Sequence, residues 1–155
     1  MSPVDLVTRE RRPRLAAAEA ARAEAARLDA AHSGLDAETL IDRVVHRLFP
    51  GRVAVVSSFG ADAAVLLDFV AAVDTAVPIV FVDTEKLFGE TLRHRDRLVE
   101  RLGFTDVRTV GPDPVAVMAA DPVGVLWHAD ADACCRLRKV EPLARAVAPF
   151  DAWIS

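Results

Sequence analysis

Apolar and polar positions along this chain change texture twice, and each texture predicts a different kind of element. From Arg14 to about His32 alanine dominates, glycine and proline are absent, and only Leu15 and Leu28 are large and apolar. With Glu19/Arg22 and Glu24/Arg27 at helical contact spacing, this stretch predicts a helix with little to bury, a solvated extension more than a partner-binding helix. Ser33-Gly34 breaks it. From about Asp36 to Leu48, the spacing of Leu40, Val44, Val45 and Leu48 predicts a short amphipathic helix that Pro50-Gly51 stops.

Beyond that break the pattern becomes an α/β alternation. Val53-Ala54-Val55-Val56-Ser57 is a short apolar run suited to a strand buried on both faces, so it is expected to be central. Ser58 to Ala61 reads as a turn, and about Asp62 to Val73 as a helix covering the sheet with Val65, Leu66, Phe69 and Val70. Pro78 to Asp83 predicts a second buried strand, and Lys86 to Leu102 an amphipathic helix with Leu87, Thr91, Leu98 and Leu102 on one side and Gly103 as its stop. Asp106 to Val110 reads as a third strand. Gly111 to Gly124 is turn-rich around a short helix and is expected on the surface. Asp130 to about Lys139 is helical in composition, Pro142 starts a further helix, and Phe150 to Ile154 opens another strand. The expectation is an α/β fold with a parallel sheet, in a domain over residues 36–155 preceded by an alanine-rich helical extension over 1–35.

Composition narrows the function. With 155 residues and 52% hydrophobic content the chain can bury one core. A net charge of −4 and a pI near 5.5 argue against bulk nucleic-acid binding, while local arginine clusters can still meet a small anion. The first dozen residues carry Asp5, Arg9, Glu10, Arg11 and Arg12 without an apolar run, so neither a signal peptide nor a membrane span is expected, and the cytoplasm is the default location. In that reducing compartment the two cysteines, adjacent at Cys134 and Cys135, are read as thiolates before disulfide halves.

Three places could carry chemistry. The turn Ser57-Ser58-Phe59-Gly60-Ala61-Asp62 joins a strand to a helix N-terminus, where backbone N–H groups can face an anion. It is neither a Walker loop nor a dinucleotide fingerprint, and it is read equally well as an ordinary turn with Asp62 capping the helix. Asp83-Thr84-Glu85-Lys86 ends the second strand and could hold a ribose, base or phosphate, but helix capping with Thr84 as N-cap is the preferred reading of these residues taken alone. Cys134 and Cys135 are followed by Arg136, Arg138 and Lys139, charges that lower thiol pKa values and compensate a thiolate-bound metal cluster. Metal ligation is preferred there over plain burial or a redox dithiol. His32, His46, His94 and His128 lack paired metal spacing.

Taken in order, Val55 to Asp62, Val82 to Phe88, Glu90 to Leu92, and Asp132 to Leu143 resemble the adenylyl-sulfate and phosphoadenylyl-sulfate reductases of sulfate assimilation. The resemblance runs from about Leu40 to Ser155. It implies a Rossmann-like fold of the adenine-nucleotide alpha-hydrolase type and reduction of adenylyl sulfate to sulfite and AMP, with thioredoxin as electron donor, a route that feeds cysteine biosynthesis. It places the substrate at Ser57, Ser58, Phe59, Gly60, Ala61 and Asp62, with Asp83 and Thr84 bordering the nucleotide. It makes Cys134 and Cys135 two ligands of a 4Fe-4S cluster, and it has Arg138 and Lys139 link that cluster to the substrate pocket.

The chain also departs from the family. The family's other two cluster ligands, in a later Cys-x-x-Cys, and its nucleophilic tail cysteine have no counterpart in a chain with two cysteines. Glu85 stands where the family often has glycine, alanine at 63 or 64 where a hydroxyl or acid is common, and Gly89 where proline is frequent. A carboxylate at 85 is expected to point away from an anionic ligand or to pair with Lys86. The chain is therefore expected to be the N-terminal part of such a reductase, incomplete at its C-terminal side and inactive alone. The alternative is a non-catalytic module that binds an adenine nucleotide or anion and acts with a partner.

Overall fold

The computed structural model describes residues 3–155, with side chains from residue 18 onward. The chain divides at residue 36 into two units. The first is one helix, α1 (Pro3–His32), which begins well before Arg14, where alanine content alone had placed its start. From Ala18 on its side chains are exposed apart from Leu28 and His32, and Arg27 closes on Glu24 one turn away.

The second unit is built on a four-stranded parallel sheet of β1 (Val53–Val56), β2 (Ile79–Val82), β3 (Val107–Val110) and β4 (Ala152–Ile154) in the order β3-β2-β1-β4. Its residues follow from the runs of valine and isoleucine, whose branched side chains suit a pleat covered on both faces. Val53, Ala54, Val55, Ile79, Val80 and Phe81 are at most 2% exposed. β1 is interior, as its uninterrupted apolar run predicts, pairing Val55 with Ile79 on one side and Ile154 on the other.

The helices are α2 (Ala37–Arg43), continued by a π-helical turn (Val44–Leu48), then α3 (Ala61–Val73), α4 (Gly89–Leu102), α5 (Pro114–Ala120), α6 (Leu126–Ala129), α7 (Ala131–Cys135), a second π-helical turn (Arg136–Val140) and α8 (Glu141–Val147). Gly103, at φ 74°, stops α4 in the left-handed conformation that glycine adopts without steric cost. Pro142 is the second residue of α8, which follows the second π-helical turn with helical backbone throughout.

The helix faces differ in part from those the spacing predicts: Val45 and Val70 are buried and Val44 and Leu66 pack on the core, while other positions are exchanged. In the second helix Ile41 and Val45 are buried and Leu40 is exposed. In α3 the buried pair is Leu67 and Val70, while Val65 and Phe69 face solvent. α3 is so rich in apolar residues that several faces satisfy helical spacing, while α2 packs on α3, and in each case tertiary contact selects the buried face. The helix expected from Lys86 starts at Gly89, with Phe88 as N-cap, because residues 83–86 are folded into turns. Leu92, Leu98, Val99 and Leu102 then pack on the core.

Candidate functional site

The turn after β1 is shaped by its own side chains. The Phe59 N–H donates to Ser57 Oγ at 3.0 Å and the Gly60 N–H to Ser58 Oγ at 3.4 Å. Phe59 takes a left-handed φ of 55°, a cost of about 1 kcal/mol for a non-glycine residue. Burial offsets it: the ring is 1% exposed and meets Phe81 edge-on at 5.6 Å. Gly60 is the N-cap of α3 with extended backbone, so Asp62 lies inside the first turn and does not cap the helix. Of the six residues singled out here, Ser57, Ser58 and Asp62 line cavities. Phe59 anchors the turn in the core, while Gly60 and Ala61 carry the backbone into the helix.

After β2, Asp83 Oδ1 accepts from the Glu85 N–H at 2.8 Å, and Thr84 Oγ1 from the Lys86 N–H at 3.3 Å. These are local turns and not helix caps, which overturns the capping account of Thr84. Glu85 sits at φ 60°, the left-handed region where glycine is at ease. Its carboxylate pairs with Arg138 at 3.1 Å, not with Lys86, whose Nζ donates instead to the Gly124 carbonyl at 2.9 Å.

The helical run through Cys134 carries a buried row at intervals of four: Cys134, Arg138 and Pro142. Cys134 is buried and Cys135 exposed. Arg138, read from the sequence as a charge beside the thiols, borders the same cavity as Cys134 and Cys135, and it is 4% exposed and also paired. It donates to Asp121 Oδ2 at 2.9 Å, to Glu85 Oε2 at 3.1 Å and to the Thr84 carbonyl at 3.2 Å. Its Nε is buried without an acceptor among the described residues. Asp121 was not singled out by sequence, because it lies in the turn-rich stretch expected on the surface. It is 4% exposed, and its Oδ1 accepts from the Leu126 N–H at 2.9 Å. That N–H first, with the Arg138 guanidinium and the charge of Lys86, outweighs burial and holds the carboxyl below its ordinary 3.8.

These parts line a crevice at the carboxyl ends of the strands. A cavity of about 470 Å³ is bordered by Ser57, Ser58, Asp62 and Ser155. A second, of about 290 Å³, shares Ser57 and Ser58 and adds Thr84 and Lys139. A third, of about 550 Å³, shares Thr84 and Lys139 and adds Trp127, Cys134 and Cys135. Lys139 thus stands on both the serine cavity and the thiol cavity. The chain runs outward from β1 to β3 and returns beside β1 as β4. The first cavity therefore lies at the topological switch point, where open α/β sheets take their ligands. Asp83 is beside this crevice but lines none of the three cavities.

Fold and crevice define an α/β protein of the doubly wound class with a serine-bearing turn at its switch point. Residues 52–155 match the phosphoadenosine phosphosulfate reductase domain, and the chain belongs to that family. It is 47% identical over 127 residues to the adenosine 5'-phosphosulfate reductase of Mesorhizobium japonicum, covering 82% of this chain and 50% of that protein. The adenosine 5'-phosphosulfate reductase of a Chelativorans species is 46% identical over 128 residues, 82% of this chain and 52% of the relative. The chain spans about half the length of these curated relatives. Among solved structures, a phosphoadenylyl-sulfate reductase from Candida auris, in a phosphate complex, shares the fold with a TM-score of 0.60 at 23% identity, over 74% of this chain and 56% of that one.

Whether this chain's residues suit an iron–sulfur cluster is decided by its donors. Two adjacent thiols border one cavity, and among the described residues no three histidine, cysteine or acidic side chains gather to hold a metal. A four-iron cluster takes four thiolates. The donor set of this chain therefore does not complete one. No helix among the described residues is long and apolar enough to cross a membrane.

Proposed function

We propose that this chain forms the substrate-binding half of a thioredoxin-dependent adenylyl-sulfate reductase of sulfate assimilation. The observation that carries the reading is Lys139, which borders the cavity of Ser57 and Ser58 and also the cavity of Cys134 and Cys135. One ammonium there can hold the sulfate end of a nucleotide whose phosphate faces the turn at 57–62, with Thr84 at the cavity edge and Asp83 shaping the loop beside it. In the whole reaction the sulfate group gains two electrons and leaves AMP as sulfite, while a thioredoxin dithiol becomes a disulfide. Cys134 and Cys135 would supply two of four cluster ligands in the cytoplasmic holoenzyme. With both assigned to metal, no thiol of this chain remains as a nucleophile.

Calorimetric titration of the 155-residue chain tests this. Adenylyl sulfate should bind, and more tightly than AMP, because Lys139 meets the added sulfate. Reduced thioredoxin should release no sulfite from that complex. Failure to bind either nucleotide overturns the reading, and sulfite release overturns the division of roles.

A further inference from the structure

Arg138 joins three segments that are far apart in sequence. Its guanidinium reaches the loop after β2 through the Thr84 carbonyl and the Glu85 carboxylate, and the end of α5 through Asp121. Lys139 is the next residue along the same helical run. Where Arg138 is held therefore sets where the Lys139 backbone stands relative to Thr84, the residue that shares both of its cavities.

Asp121 is the partner that fixes this arrangement. Glu85 is more than half exposed, so water can replace it, whereas the Asp121 side chain is 1% exposed and both its oxygens are used, Oδ1 by Leu126 and Oδ2 by Arg138. The 121–126 turn is in turn fastened to the β2 loop where Lys86 Nζ reaches the Gly124 carbonyl at 2.9 Å. Gly124 has a φ of 73°, and a Cβ there would come within 2.9 Å of that Nζ. The lysine tip can move aside, so it is the left-handed φ that favours glycine at this position.

We infer that Asp121 is a positioning residue: through Arg138 it sets Lys139 at the junction of the two cavities, and so governs affinity for the sulfate end of the ligand without touching it. This rests on the substrate-binding role of Lys139 given above. The isosteric change Asp121→Asn removes the charge and one acceptor. Its helical run should loosen while the sheet stays closed.

Hydrogen exchange and calorimetry on the full chain, both under conditions where the variants are folded, test it together. With Asp121→Asn, exchange should rise at residues 84–86 and 130–141 and stay unchanged in β1 and β2. Adenylyl sulfate should bind about tenfold more weakly in Asp121→Asn and in Lys139→Ala, the scale of one charge-assisted hydrogen bond, with the double variant no weaker than Lys139→Ala alone. Loss of protection throughout the sheet, an unchanged affinity in Asp121→Asn, or additive losses in the double variant would each overturn the inference. If the unaltered chain binds no nucleotide, the reading of its function fails, and the exchange pattern alone decides the positioning role.

Discussion

Arg138 and Asp121, seventeen positions apart in sequence, meet at 2.9 Å with 5% and 1% of their side chains exposed. Removing one member of such a pair leaves the other charge buried and uncompensated. Arg138→Met, which keeps much of the volume, is expected to lower the unfolding free energy by about 3 kcal/mol. Arg108→Met, at the half-exposed pair with Asp106, should cost about 0–1 kcal/mol. Urea titration of both variants beside the parent checks the contrast, and equal losses would refute it.

The same pair makes stability depend on acid. Asp121 is held below its ordinary 3.8 by the Leu126 N–H first and then by Arg138. The unfolded chain therefore binds a proton at Asp121 more readily than the folded chain, and stability rises with pH across that interval. The contribution is complete above the ordinary value and is lost as pH falls through the depressed one. Thermal melts should show the parent losing stability below about pH 4, and Asp121→Asn losing less over the same range.

Glu85 inverts the usual ranking of alanine and glycine. At φ 60° any side chain with a Cβ is strained, and the carboxylate compensates in part through Arg138. Glu85→Ala keeps the strain and loses the pair, whereas Glu85→Gly loses both. The glycine variant should be more stable than the alanine variant by about 1 kcal/mol. The opposite order in denaturant unfolding would show that the backbone at 85 is not under strain.

The two cysteines should be chemically distinguishable. Cys135 is exposed and Cys134 buried, and alkylation needs access as well as thiolate. Iodoacetamide on the folded, metal-free chain should label Cys135 at least about tenfold faster than Cys134, and equal rates in denaturant would confirm that the difference is one of access. Peptide mass spectrometry over a time course reads this directly.

Much of the fold was legible because its signals are local. The runs at Val53–Val56 and Ile79–Val82 are strands, and Gly103 and Pro142 mark a helix end and a helix start. The misread faces have one cause. α3 is apolar nearly all round, so Val65 and Leu67 are equally good candidates for burial until the sheet is in place. The start of α4 was misplaced because Asp83 and Thr84, which can cap a helix, spend their oxygens on turns three to six residues before it. Asp121 left no signal at all. An aspartate before proline in a turn-rich stretch reads as surface, and nothing nearby announces a partner at 138.

The order of the residues alone settled the alternation of strands and helices, the position of the serine-bearing turn after the first strand, and the placing of adjacent thiols beside basic neighbours. Those depend on backbone preferences and on spacing within one element, which short stretches of chain already contain. The tertiary structure decided which charge does what. It turned Arg138 inward to Asp121, sent Glu85 to Arg138 and Lys86 to Gly124, and left Lys139 at the meeting of the serine and thiol cavities. A buried charge takes whatever partner the packing brings within reach, and that partner can stand anywhere in the sequence.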